Sequence, residues 1–146
     1  MDIEHWEIVS QIINTFEFIY LGYVKFFPTQ PQEIEEGNRE YKINLDFSRY
    51  SKKNIHNILN KKATQMNYRL FEGGGCAIYF IGVSDTGGTN GITIVKLLKS
   101  LLYFTNIVTL CKSKYNKIRI YPATHGYIST IRVYKKIESK TLLDIL

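Results

Sequence analysis

The stretch Lys62-Ala63-Thr64-Gln65-Met66-Asn67-Tyr68-Arg69-Leu70-Phe71-Glu72-Gly73-Gly74-Gly75-Cys76-Ala77-Ile78-Tyr79-Phe80-Ile81-Gly82-Val83-Ser84-Asp85 carries a helix end, a glycine turn and a buried strand in succession. Its first residues close a helical pattern running from Lys52 to Met66, with Ser51 as N-cap and Ile55, Ile58, Leu59 and Ala63 on one stripe. Asn67 ends that helix. Tyr68 to Glu72 and Cys76 to Val83 then read as two strands, with Gly73-Gly74-Gly75 closing a hairpin between them. Ala77-Ile78-Tyr79-Phe80-Ile81 is apolar on both faces, which predicts a central strand.

Upstream, Glu40 to Phe47 alternates Tyr41, Ile43, Leu45 and Phe47 with Lys42, Asn44 and Asp46, the period of a half-buried strand. Ile3, Trp6, Val9, Ile12, Ile13, Phe16 and Tyr20 recur at helical spacing, predicting an amphipathic helix over 3–20. Pro28 and Pro31 stop regular structure, and Glu33 to Gly37 makes an acidic connector. This divides the chain into an N-terminal helix and linker, 1–31, and one domain, 32–146. Downstream come a polar loop from Asp85 to Gly91, a helix from Thr93 to Thr105, a strand from Ile107 to Cys111, a basic turn from Lys112 to Lys117, and strands over Ile118–Tyr121 and Gly126–Ile137. The order strand, helix, strand, strand, helix, strand predicts an α+β fold. Its plan is a ferredoxin-like split β-α-β sandwich, an antiparallel sheet with two helices on one face, plus the N-terminal helix and extra terminal strands.

With 146 residues the chain can bury a substantial core, and no apolar run reaches the ~18 residues of a membrane span. The opening Met1-Asp2-Ile3-Glu4 lacks the basic start of a secretory signal, and Cys76 and Cys111 make no disulfide framework; both point to a cytoplasmic protein with reduced, buried thiols. Residues 1–40 hold eight acidic and two basic side chains, residues 41–146 five and seventeen. Basic clusters at Lys52, Lys53, Lys61, Lys62, Lys112, Lys114, Lys117, Arg119, Arg132, Lys135 and Lys136, interleaved with Tyr115, Tyr121 and Tyr134, are candidates for phosphate contacts with tyrosines stacking on bases.

Catalytic patterns are weak by comparison. Gly82-Val83-Ser84-Asp85-Thr86-Gly87-Gly88-Thr89 has the glycine spacing of a P-loop, but Gly88 stands where the phosphate-binding lysine belongs, leaving a glycine-rich turn as the reading. His5, His56 and His125 are dispersed, so no metal site is expected. Ser84, Asp85 and His125 lack the spacing of a nucleophilic triad. A metal-dependent nuclease would need Asp46, Glu72, Asp85, Glu138 and Asp144 to cluster.

Three separated blocks carry a resemblance. Glu35-Glu36-Gly37-Asn38-Arg39-Glu40-Tyr41-Lys42-Ile43-Asn44-Leu45, then Ala63 to Gly75, then Tyr79-Phe80-Ile81-Gly82-Val83 with Asp85, Gly87 and Gly91, resemble the N-terminal region of translational GTPases of the GTP-binding protein 1 and 2 family, relatives of elongation factor Tu. The family-motif positions are Glu40, Tyr41, Lys42, Gln65, Met66, Arg69, Leu70, Glu72, Gly73, Gly75, Ile81, Gly82, Val83, Asp85, Gly87 and Gly91. In that family the second helix is longer and acidic, whereas here it is short and carries Lys96 and Lys99. The resemblance implies a role in translation and an accessory, non-catalytic domain contacting RNA, the ribosome or a translation or RNA-decay partner. It implies GTP and magnesium only where a GTPase domain follows. The alternative is a stand-alone interaction module docking on a protein partner through residues 3–20.

Overall fold

The computed structural model describes residues 19–21 and 27–136, and the expected N-terminal helix lies outside them, except that its last positions belong to a strand. The elements are β1 (Ile19–Leu21), β2 (Arg39–Lys42), α1 (Lys52–Glu72), β3 (Cys76–Ile81), α2 (Ile94–Leu110), β4 (Lys114–Ala123) and β5 (Gly126–Tyr134). They form an α+β domain with one mixed sheet in the order β1-β4-β5-β3-β2. β3 and β4 are joined through α2, with β5 inserted antiparallel between them, which is a split β-α-β unit. β2 and β3, joined through α1, pair directly and in parallel, as β1 does with β4, so the sheet is not the purely antiparallel one expected.

That difference has a local cause. Residues 68–72 extend α1 instead of forming a strand, because Leu70 continues the buried stripe of Leu59, Ala63 and Met66 at steps of four and three. Asn67 is exposed and outside the stripe, so it stops nothing. The glycine triplet terminates the helix: the Gly74 N–H donates to Phe71 O and the Gly75 N–H to Leu70 O, with Gly74 left-handed at φ 63°. This is the paired-bond helix terminus that a glycine makes inexpensive, not a hairpin.

α2 is likewise longer than its expected end at Thr105. Ile107 and Val108 extend the inward stripe of Leu97, Leu101 and Phe104, so tertiary burial overrides the strand preference of β-branched residues. The same terminus recurs, with Lys112 N–H to Thr109 O, Ser113 N–H to Val108 O, and Lys112 at φ 53°. The expected basic turn at 112–117 is thus a helix terminus followed directly by β4. β2 ends at Lys42 because side chains beyond it bind the backbone: Asn44 Oδ1 accepts from the Asp46 N–H, and Asp46 Oδ1 from that of Ser48. Leu45 is then drawn under α2, its N–H donating to buried Ser100 Oγ at 2.9 Å.

Both helices pack on one face of the sheet. Ala77, Tyr79 and Ile81 of β3, Ile118 and Ile120 of β4, and Ile131 and Val133 of β5 meet the helical stripes there. Each large side chain fully buried in this layer contributes about 1.5–3 kcal/mol. Alternation sends Phe80 and Ile128 to the opposite face, where they form a smaller cluster with Tyr41 and Val83, joined by Phe27. Of the described residues none makes a helix long and apolar enough to cross a membrane.

Candidate nucleic-acid interface

The face of the sheet that carries no helix among the described residues, the helix-free or open face, follows from β4 alternation. Ile118 and Ile120 point into the helical core, so Arg119 and Tyr121 point away from it. In β5, Ile131 and Val133 point inward, and Thr130, Arg132 and Tyr134 outward. Register aligns the two outward rows: Arg119 opposes Thr130, Asn116 opposes Arg132, and Lys114 opposes Tyr134. The ladder slips between Asn116 and Arg119, and within that bulge Lys117 is left-handed at φ 52°. The bulge lets a third cation join the row, a common use of such irregularities.

Lys117, Arg119 and Arg132 converge on a concave site of about 360 Å³. Its apolar part includes Phe27, Ile78, Tyr121 and Ile131, and among the described residues no acidic side chain lines it. Phe27 packs on Tyr121 with ring centroids 5.0 Å apart, and on Phe80 at 6.3 Å. The Arg132 guanidinium lies over the Tyr134 ring at 5.1 Å and its Nη1 donates to Asn116 Oδ1 at 3.4 Å. Lys117 and Arg119 are exposed, and among the described residues neither has a carboxylate within ion-pair distance. A cationic row beside half-buried aromatic rings can take an anionic, aromatic ligand.

Phe27 reaches this face because residues 27–34 are fastened to the loop after β3. Gln30 N–H donates to Gly87 O at 3.2 Å, Glu33 N–H to Asp85 O at 2.8 Å, and Glu33 Oε2 accepts from the Tyr41 N–H. Burial pushes the Glu33 carboxyl above its ordinary range, although the Tyr41 hydrogen bond acts the other way. Gly87 sits at φ 90°, and a side chain there would collide with the Gln30 carbonyl oxygen.

Other sequence candidates fall elsewhere. Lys52, Lys53 and Lys61 are exposed on α1, in the layer covering the opposite face. Lys62 faces Lys42, Glu40 and Asp85, and burial first, then the Lys42 charge, lower its ammonium below the usual lysine range. Lys112 is the helix terminus; Lys135 and Lys136 follow β5, the Lys135 N–H bonded to Gly75 O at 2.8 Å. Of the interleaved tyrosines, Tyr115 belongs to the helical core beside Phe104, while Tyr121 and Tyr134 share the open face. Phe27, Ile78 and Thr130 were not singled out from sequence; the outward phase of β3 and β5 was the available signal for Ile78 and Thr130, and Phe27 had none.

The motif residues build scaffold. Buried Arg69 donates from Nε to Glu40 Oε2 at 2.6 Å, from Nη1 to the carbonyls of Glu35, Glu36 and Gly37 at 3.1, 3.2 and 2.9 Å, and from Nη2 to Ile34 O at 3.0 Å. Lys42 Nζ lies 3.0 Å from Glu40 Oε1. Met66, Leu70, Ile81 and Val83 are core, and Tyr41 packs on Phe80 at 5.2 Å. Tyr68 Oη donates to the Glu35 carbonyl, tying it to the same connector, and also lies 3.0 Å from Glu72 Oε1. Gln65 is half-buried on α1. In the glycine loop the amides are consumed internally: Ser84 N–H to Gly88 O, Gly87 N–H to Ser84 O, Gly88 N–H to Ser84 Oγ and Gly91 N–H to Gly82 O. That is a folded turn, not an open phosphate cradle. Among the described residues no three His, Cys, Asp or Glu side chains come together as a metal site. Cys76 and Cys111 are free thiols; Cys111 is buried with Sγ 3.0 Å from Ala63 O, while Cys76 is half-buried.

Fold and face define a small α+β domain with a cationic, aromatic-bearing sheet surface. In sequence it is similar to GTP-binding protein 2 of mouse and of human, each 40% identical over 75 residues that cover 51% of this chain. The matched segment is 11% of the length of those relatives. The similarity supports a relationship to GTP-binding proteins. No family model matches the sequence, and no solved structure matches the fold.

Proposed function

We propose that this chain is a non-catalytic accessory domain related to translational GTP-binding proteins, and that it contacts RNA, free or within the ribosome, through the helix-free face of its sheet. The observation that carries this reading is the convergence of Lys117, Arg119 and Arg132, with no acidic lining residue among the described ones, beside Phe27 and Tyr121. Phosphate neutralisation supplies affinity, and the sheet holds the cations in a fixed row. On this reading GTP and magnesium are bound by a GTPase domain where one accompanies it, and the working compartment is the cytoplasm.

The test is binding of a labelled 20-nucleotide RNA across a salt series. Three phosphate contacts on a single strand give a log-log slope of about −2. Charge reversal in Lys117→Glu/Arg119→Glu should flatten the slope and weaken binding at least about tenfold, whereas Lys52→Glu/Lys53→Glu, on the helical layer, should change little. No binding at low salt, or equal losses from both pairs, removes the assignment.

A further inference from the structure

We propose that the concave site on the open face takes a single unpaired nucleotide, so that the RNA recognised is single-stranded and not duplex. This deepens the RNA reading and rests on it. Electrostatics alone would need only a flat basic surface. Here the three cations rim a depression whose apolar part includes Phe27, Ile78, Tyr121 and Ile131, and whose volume of about 360 Å³ suits a small group. Small-ligand sites span about 300–1,000 Å³, and a helix cannot enter such a space.

The chemistry of the walls selects between paired and unpaired bases. A-form duplex presents phosphates and 2′-hydroxyls on its surface, with base faces hidden in the stack; an unpaired base offers its π-face to an aromatic side chain. Tyr121 is held by Phe27 at 5.0 Å and by its strand, so little side-chain freedom is lost when a base stacks on it. Arg119 shares the outward row of β4 with Tyr121, two residues away on the same strand, and Lys117 and Arg132 lie on the same rim. A base against Tyr121 therefore leaves its flanking phosphates beside the guanidinium groups. The row continues past the site, where Lys114 opposes Tyr134 and the Arg132 guanidinium lies over that ring, so cations also line the path of a neighbouring phosphate.

The experiment compares a labelled single-stranded oligouridine with a blunt RNA duplex of equal phosphate count, on the full chain. Wild type should bind the single strand at least about tenfold more tightly, and Tyr121→Ala should reduce single-strand affinity about tenfold, within the range of one lost base stack, with the salt slope unchanged. Because Tyr121→Ala also removes a packing partner of Phe27, Thr130→Phe supplies an independent arm: it fills the site from its own wall while keeping all three cations, Phe27 and Tyr121, and should abolish the single-strand preference with duplex binding intact. Equal affinity of wild type for both RNAs, or wild-type behaviour of both variants, overturns the unpaired-nucleotide assignment while leaving the RNA reading in place. Failure to bind either RNA at low salt overturns both.

Discussion

Replacing Arg69 by methionine should cost the fold about 3 kcal/mol, the low end of the ~3–5 kcal/mol seen when one partner of a buried ion pair is removed. Two features of the site set the figure. Arg69 and Glu40 are both buried, at 4% and 1% exposure, so Glu40 would lose a charge-assisted bond of 2.6 Å without gaining water. Against that, Lys42 Nζ stays 3.0 Å from the other carboxylate oxygen, so Glu40 keeps one counter-charge. The four backbone carbonyls that Arg69 also binds belong to residues 34–37, which border solvent and can be hydrated, and their loss should add little to the global figure. It should instead appear locally, as faster amide exchange and proteolysis in the connector. Urea denaturation with unchanged slope gives the global cost. Arg69→Lys retains the charge but not the fork, and should fall between wild type and Arg69→Met. Glu40→Gln should cost less than Arg69→Met, because the guanidinium keeps its carbonyl acceptors and Glu33 Oε1 at 4.0 Å. A loss under about 1 kcal/mol for Arg69→Met, the range of an exposed pair, or additive losses in the Arg69→Met/Glu40→Gln double variant, would refute the buried-pair reasoning.

Three further outcomes are expected. Glu33 is an acid whose folded-state value burial raises above 4.5, so the folded state holds the proton more firmly than the unfolded chain; stability should decline as pH rises from about 4.5 through the raised value. Glu33→Gln, which keeps an acceptor for the Tyr41 N–H, should flatten that decline in pH-dependent melts without lowering the midpoint at pH 7. Gly87→Ala should destabilise by more than about 1 kcal/mol, since φ 90° and the Gln30 carbonyl both oppose a side chain; limited proteolysis should place the loosening at 27–31, and RNA affinity should fall with it as Phe27 leaves the site. Lys112→Gly, at the left-handed helix terminus, should raise stability by up to about 1 kcal/mol in thermal melts and leave RNA affinity unchanged, because Lys112 lies outside the open-face row.

What the sequence disclosed depended on how local each signal was. β3 was legible as a central strand because Ala77 to Ile81 is apolar on both faces, and it does lie between β2 and β5. Ser51 was legible as a cap, and its Oγ accepts from the Asn54 N–H. The glycine triplet was ambiguous: a left-handed glycine serves a hairpin and a helix terminus equally, and only the burial of Leu70 under the second helix decides between them. The 107–111 segment failed for a similar reason, its β-branched residues being claimed by the core. For the site, Arg119 and Tyr121 were readable against Ile118 and Ile120 within one strand. Their meeting with Arg132 depends on a register containing a bulge, and the arrival of Phe27 depends on backbone bonds from Gln30 and Glu33 to a loop more than fifty residues away. Neither is encoded in a local period.

The family resemblance and the candidate site therefore make separate claims on this chain. Motif residues 35–45, 63–75 and 79–91 are absorbed by scaffold: the Arg69–Glu40 clamp, the helix terminus at Gly73 to Gly75, and the self-bonded glycine turn that anchors residues 27–34. Lys117, Arg119, Tyr121 and Arg132 lie beyond those blocks, at outward hairpin positions that belong to neither hydrophobic cluster and can change with little disturbance of the fold. The two parts meet at one place, where the motif loop at Asp85 and Gly87 holds the segment bearing Phe27 against Tyr121. A scaffold of this kind fixes where a ligand can be received while leaving the hairpin free to decide which one. Variants in the motif should hence be read in stability and in the seating of Phe27, and variants on the hairpin in binding; a hairpin variant that altered stability as strongly as Arg69→Met would show that the division is misplaced.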